Sequence, residues 1–321
     1  MATRIRVGTA VTKSMPPGNR STMSGLSLPS QMPRLADLSR PSMKRRAVNN
    51  IVAVHDMGTK AEKQEGDEWY PKVNEATAKG VKQLGLPSMM HGAGIVSAVS
   101  PNMDFENNNI HAFGELSKFH SNPEHVAVLH RSLANVVPSE KNSGRMVQKR
   151  TPEMSDVLKQ YPNIAKAPDV GIYKAGRLMN HEDPDTVINP RSAYKTNSFM
   201  HHIADPSMNT SPHTGRPMAT MDGRAHDIGA NNMMTWGTDR GIGSSGGKKP
   251  SRGEEFADSY ERAGKVIGAE ESKPIPNSAV QARTWVIGKR LEKSMPGARR
   301  SSTTREVIGG PKRVGQPYSP R

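Results

Sequence analysis

A chain of 321 residues with only 34% hydrophobic and 4% aromatic side chains carries a formal net charge of +15 and a pI of about 10.0. It has no cysteine, which excludes disulfides, thiolate nucleophiles and cysteine-held metals. No apolar run is long enough to span a bilayer, and Arg4, Arg6 and Lys13 are not followed by the apolar stretch of a signal peptide, so no membrane is expected and the expected location is cytoplasmic.

The apolar content is too low for the whole chain to share one core, and 29 Gly with 25 Pro favour long loops. Residues 1–40 show no apolar period. They scatter Arg4, Arg6, Lys13, Arg20, Arg34 and Arg40 among Ser, Pro, Met and Gly, and read as an extended basic arm. Ala47, Ile51 and Val54 then fall at helical spacing within Met43 to Val54, with Arg45 and Arg46 on the surface. A mixed-charge patch from Glu62 to Glu68 leads into Trp69-Tyr70-Pro71. A second helix is expected over Lys72 to Leu84, closed by Gly85 and Pro87.

The run Gly92 to Val99 reads as a short buried helix, with a β-strand as the alternative, and Pro101 disfavours helical geometry at Ser100. Asn102 or Asp104 caps a helix to about Phe119. Asn122 caps another to Val136, with Pro123 in its first turn and Val126, Leu129 and Leu133 on one side. Pro138 to Pro152 reads as a polar, basic loop. Met154 to Tyr161 and Asn163 to Leu178 are partly helical, and His181 to Pro190 is a turn region.

Ser192 or Ala193 opens a helix that carries Lys195, with Phe199 and Ile203 at i, i+4, and Asp205 to Met218 is loop. Met221 to Trp236 is partly helical. Glu254 to Ile267 and Asn277 to Lys293 are helices, the second with Val280, Ile287 and Leu291 on one side. Residues 294–321 hold Arg299, Arg300, Arg305, Lys312, Arg313 and Arg321 against Glu306 alone, and read as a second extended basic tail. Strand signals are weak throughout. The expected fold is mainly α, short helices in a modest core over residues 41–293, with long irregular segments and the two tails.

Three groups of residues could carry chemistry. The loop Gly241 to Lys249 invites comparison with a phosphate loop, but Ile242 stands where the first Gly belongs and Lys249 where Ser or Thr belongs. His201, His202, His213, His226 and Asp227 match no compact metal motif, and the histidines read as polar surface groups, so no metal and no cofactor are expected. Lys195 and Asp222 are the sharper pair. An amine with its pKa lowered at a helix start could attack a sugar C1′, and a carboxylate could stabilise the cationic sugar. The plainer reading is a solvated lysine and a capping Asp, and no catalytic residue is favoured.

Lys195-Thr196 followed by Asp222 and His226 resembles, over residues 190–226, the helix-hairpin-helix DNA glycosylase superfamily, in which a Lys-Thr pair begins a helix and a catalytic Asp follows. The resemblance implies Lys195 as nucleophile and Asp222 as carboxylate. The superfamily's Gly-rich hairpin turn is replaced here by Asn189-Pro190-Arg191-Ser192, and three residues separate Asp222 from His226 instead of one.

The expected function is that of a non-enzymatic basic structural protein of a large assembly, its arms on an acidic partner surface, either packaged nucleic acid or an acidic filament. A nucleic-acid-binding protein is the alternative, and a glycosylase-like enzyme the third reading. The expected polyanion-binding residues are Arg45, Arg46, Lys248, Lys249, Arg299, Arg300, Lys312 and Arg313. The enzyme requires Lys195 and Asp222 to converge in one cleft. An assembly protein should turn apolar surface outward.

Overall fold

In a computed structural model the described residues are 41–100, 105–138, 146–230 and 252–294. They are mainly helical, and both basic tails lie outside them. Helix α1 (Pro41–Asp56) faces Ala47, Val48, Ile51 and Val54 inward and leaves Arg45 and Arg46 exposed. Helix α2 (Lys60–Leu84) differs from expectation by starting twelve residues early, so the mixed-charge patch is helical. The cause is a capping box: the Glu62 amide donates to Thr59 Oγ1 at 3.2 Å, and the Thr59 amide donates to Glu62 Oε2 at 2.8 Å. Pro71 removes one backbone donor, but the buried stripe through Tyr70, Val73 and Thr77 continues across it. Gly85, at φ +62°, ends the helix in the left-handed conformation that glycine adopts most readily.

Helix α3 (Met89–Val99) is buried from His91 to Val99, so the strand alternative for Gly92 to Val99 is overturned. Ser100 keeps helical angles as its C-cap, against the expectation from Pro101, and its amide still bonds Val96 O. Helix α4 (Phe105–His120) buries Phe113, Leu116 and Phe119; the expected caps Asn102 and Asp104 are outside the described residues. Asn122 does cap α5 (Pro123–Ala134), accepting from the amides of Glu124 and His125. That helix stops short of Val136 and buries Val128, Leu129 and Ser132, while Val126 and Leu133 are only half-buried.

The expected loop after Pro138 contains a strand. β1 (Val136–Pro138) pairs antiparallel with β2 (Met146–Gln148), in the register Val136 with Gln148, Val137 with Val147 and Pro138 with Met146. Side chains fix this ribbon to its neighbours. Asn135 Nδ2 donates to Lys149 O at 2.7 Å, and Arg150 pairs with buried Asp169 at 2.6 Å, which also accepts from Ser132. The remaining helices are α6 (Pro152–Leu158), α7 (Asp169–Met179), α8 (Pro184–Val187), α9 (Tyr194–Ala204), α10 (Gly223–Gly229), α11 (Arg252–Glu270) and α12 (Asn277–Ser294). The turn region expected at His181 to Pro190 therefore holds a short helix, capped by Asp183 through the Thr186 amide at 2.8 Å.

Two apolar clusters result. The first joins α2 to α7 and α9 around Tyr70, Phe113, Leu129, Ile172 and Met200. The second joins α1, α10, α11 and α12 around Ile51, Phe256, Tyr260 and Ile287. Helix α9 serves both, placing Phe199, Met200 and Ile203 in the first and Tyr194 in the second. No helix among the described residues is long and apolar enough to cross a membrane.

Backbones approach closely at glycines. A Cβ on Gly171 of α7 would stand 2.3 Å from Ala98 O of α3. A backbone oxygen cannot rotate away, so Gly171→Ala should destabilise by about 1–3 kcal/mol. Gly114 of α4 has open space around its Cα, and Gly114→Ala should stabilise by about 0.5–1 kcal/mol. Urea unfolding of both variants tests the packing. Equal midpoints would contradict it.

Candidate functional site

The stretch from Ala193 to His226 gathers polar groups in three places along α9, the following loop and α10. Asp222 is the first. It is the N-cap of α10, where Oδ1 accepts from the Ala225 amide at 2.7 Å. Its Oδ2 accepts from Trp285 Nε1 at 2.8 Å. The Trp285 ring of α12 is half-buried, with the Arg224 guanidinium 4.3 Å from its centroid and Lys289 Nζ 5.6 Å away. The two groups bonded to Asp222 are thus a helix-terminal amide and an indole. Lys195 stands exposed in the first turn of α9, next to buried Tyr194.

These bonds predict a paired result. Asp222→Ala removes a cap and leaves a half-buried indole N–H without its acceptor, at a cost of about 2 kcal/mol. Asp222→Asn keeps an oxygen for the cap and should cost less than half of that. Chemical denaturation checks both. An alanine variant as stable as the parent would contradict the capping role.

His202 occupies the second place. It is fully buried, with Nδ1 3.1 Å from Thr220 Oγ1. The Tyr70 hydroxyl lies 2.8 Å from that same oxygen and 3.1 Å from Gln281 Oε1, and its ring meets His202 edge-on. Burial holds His202 neutral, pushing its pKa down to about 3. His226 is buried too, with Nδ1 3.0 Å from Asp227 Oδ1 and its ring against Phe256.

The third place is where His201 of α9 and His213 of the loop meet Asp185, which comes from α8 outside this stretch. Its Oδ1 lies 3.1 Å from His201 Nε2, 2.9 Å from His213 Nε2 and 2.8 Å from Asn197 Nδ2. Burial opposes the charge on Asp185, but hydrogen bonds from His201, Asn197 and His213 outweigh it and hold the carboxyl at about 2. The reading of these histidines as surface groups is corrected for His201, His202 and His226, which are 4%, 0% and 2% exposed; only His213 is exposed. Sequence reasoning missed Asp185 altogether. It is 16 residues from His201 on a separate helix, and its only local signal is a place in the first turn of α8.

The model of a family of unknown function, DUF7178, matches residues 35–293. The chain belongs to this family. No match was found among curated proteins or among solved structures. The span that the chain shares with DUF7178 takes in all three polar places and leaves out most of both basic tails. Of the expected polyanion-binding residues, Arg45 and Arg46 lie within it, exposed on α1; Lys248 and Lys249 also lie within it, but outside the described residues. Arg299, Arg300, Lys312 and Arg313 lie beyond the matched span and outside the described residues.

Proposed function

We propose that this DUF7178 chain is a non-enzymatic, basic nucleic-acid-binding protein whose arms make the contact. The observation that carries this reading is where the charge lies. Residues 1–40 and 295–321 each hold six basic residues against one acidic residue, so 67 of the 321 residues carry ten of the fifteen surplus positive charges. In the helical body, by contrast, cations are matched by carboxylates. Arg283 pairs with Asp67 and Glu271, Arg290 with Glu62, Arg150 with Asp169 and Arg131 with Glu153. A nearly self-neutralised body with cationic ends suits a polymer of regularly spaced negative charge.

Nucleic-acid binding is favoured over a structural place in a large assembly by the economy of exposed apolar surface. Among the described residues the large apolar side chains left exposed are Val136, Met146 and Val170. A structural protein of a large assembly would turn more apolar surface outward. A glycosylase-like role draws no support from Asp222, whose two oxygens are committed to the α10 amide and the Trp285 indole. The test is binding to a duplex of arbitrary sequence as salt is raised, with the basic residues of the arms present or replaced. Binding that is sequence-independent and driven by the arms is expected.

A further inference from the structure

We propose that Asp185, His201 and His213 form a mononuclear site for a divalent transition-metal ion of the zinc class. Three N–H donors now converge on one oxygen. His213 Nε2, His201 Nε2 and Asn197 Nδ2 all lie between 2.8 and 3.1 Å from Asp185 Oδ1. A single carboxylate oxygen has two lone-pair directions, so a third donor is in excess. A cation resolves the excess. Each imidazole turns a lone pair to the ion, and the carboxylate keeps the Asn197 N–H while binding the metal.

The spacing suits this. Tetrahedral zinc, with bonds of about 2.0–2.1 Å to nitrogen and oxygen, sets its ligand atoms about 3.3 Å apart. The three candidate ligand atoms lie within 4.8 Å of one another, and the two carboxylate–imidazole distances are 3.1 and 2.9 Å. The spacing of the two imidazole nitrogens is bounded at 4.8 Å, so entry of an ion draws the exposed His213 ring toward His201.

The surroundings divide the work among three elements. Asn197 also donates to Ile188 O at 2.8 Å, which fixes its amide and so orients the carboxylate, as outer-shell partners of metal ligands do. His201 is buried on α9, and its Nδ1 has no hydrogen-bond partner. Presenting the Nε2 lone pair to an ion moves the proton to Nδ1, so the bonds to the metal must outweigh the cost of a buried N–H without an acceptor. His213 lies on the exposed loop after α9, so the fourth coordination position opens toward solvent. Two imidazoles and one carboxylate are ligands of the type that zinc and its neighbours accept, and calcium or magnesium would call for more oxygens. An ion here would tie α8, α9 and the loop from Asp205 to Met218, which have no covalent link other than the chain.

The test uses the full chain, stripped with chelator and titrated with Co²⁺ and then Zn²⁺. One equivalent of Co²⁺ should bind with visible absorption bands, and Zn²⁺ should displace it. Zn²⁺ should also raise the melting temperature, because it binds only the folded site. His213→Ala removes an exposed side chain and should fold normally, yet weaken uptake at least 10-fold and abolish the thermal shift. Asp185→Asn keeps the side-chain volume and should do the same. His130→Ala, an exposed histidine elsewhere, should change neither readout. Failure of the parent chain to bind one equivalent overturns the proposal, as does binding by His213→Ala and Asp185→Asn with unchanged affinity and spectrum. Neither result bears on nucleic-acid binding by the arms.

Discussion

Replacing Arg283 by alanine is expected to destabilise the protein by about 3 kcal/mol, near the lower end of the 3–5 kcal/mol seen when one partner of a buried ion pair is removed. Arg283 is 2% exposed where α12 crosses α2. Its Nε and Nη2 donate to the two oxygens of Asp67 at 2.6 and 2.7 Å, and Nη1 donates to Glu271 at 2.7 Å. His55 Nε2 lies 3.1 Å from Nη1, so α1 joins the same cluster. Both carboxylates keep some contact with water, at 30% and 27% side-chain exposure, which is why the lower end applies.

The crossing is tight as well as charged. A Cβ on Gly66 would lie 2.4 Å from Arg283 Cα, so the two backbones touch there. Arg283→Lys should recover only part of the loss, because an ammonium cannot match the two-pronged geometry. Arg283→Met restores volume without charge and separates packing from pairing. The cluster also has a pH signature. Burial opposes the charge on Glu271, but the Arg283 hydrogen bond and the positive charges of Arg283 and Lys273 together outweigh it and hold the carboxyl below its usual range. Its stabilisation is present above the unfolded value and is lost as pH falls through the folded one. Urea unfolding at neutral and acid pH reads both effects. An alanine variant within 0.5 kcal/mol of the parent would contradict this account.

What was legible in the sequence is what neighbours within a few residues decide. Ala47, Ile51 and Val54 revealed α1, Asn122-Pro123 fixed the start of α5, and Val280, Ile287 and Leu291 defined the inner face of α12. Pro71 inside α2 reads locally as a helix breaker, whereas the Thr59–Glu62 capping box that starts the helix lies twelve residues upstream, so the first half of α2 is not legible from the proline alone. The ribbon of β1 and β2 was missed because three-residue strands, one ending in Pro138, show too little alternation to read. The polar places depend on long-range contacts. Asp222 meets Trp285 across 63 residues, and Tyr70 meets Thr220 across 150. Asp185, His201 and His213 come from two helices and a loop, with no fixed spacing to betray them. The charge of the arms, by contrast, was fully visible, since it needs no folding to be counted.

The central claim is that the arms hold nucleic acid by charge. Each duplex phosphate neutralised adds about −0.9 to the slope of log affinity against log salt, and six to ten contacts cost about 10³–10⁵ in affinity between 50 and 200 mM salt. The decisive measurement is that slope for the full chain and for a full-length variant with Arg299, Arg300, Arg305, Lys312, Arg313 and Arg321 all replaced by glutamine. The helical body is untouched by these changes, so a folded variant is expected. If all six side chains contact phosphate, the slope should flatten by about 5. Affinity at 50 mM salt should fall by orders of magnitude, whatever the duplex sequence. An unchanged slope, or a parent chain that fails to bind duplex at 50 mM salt, would contradict the account.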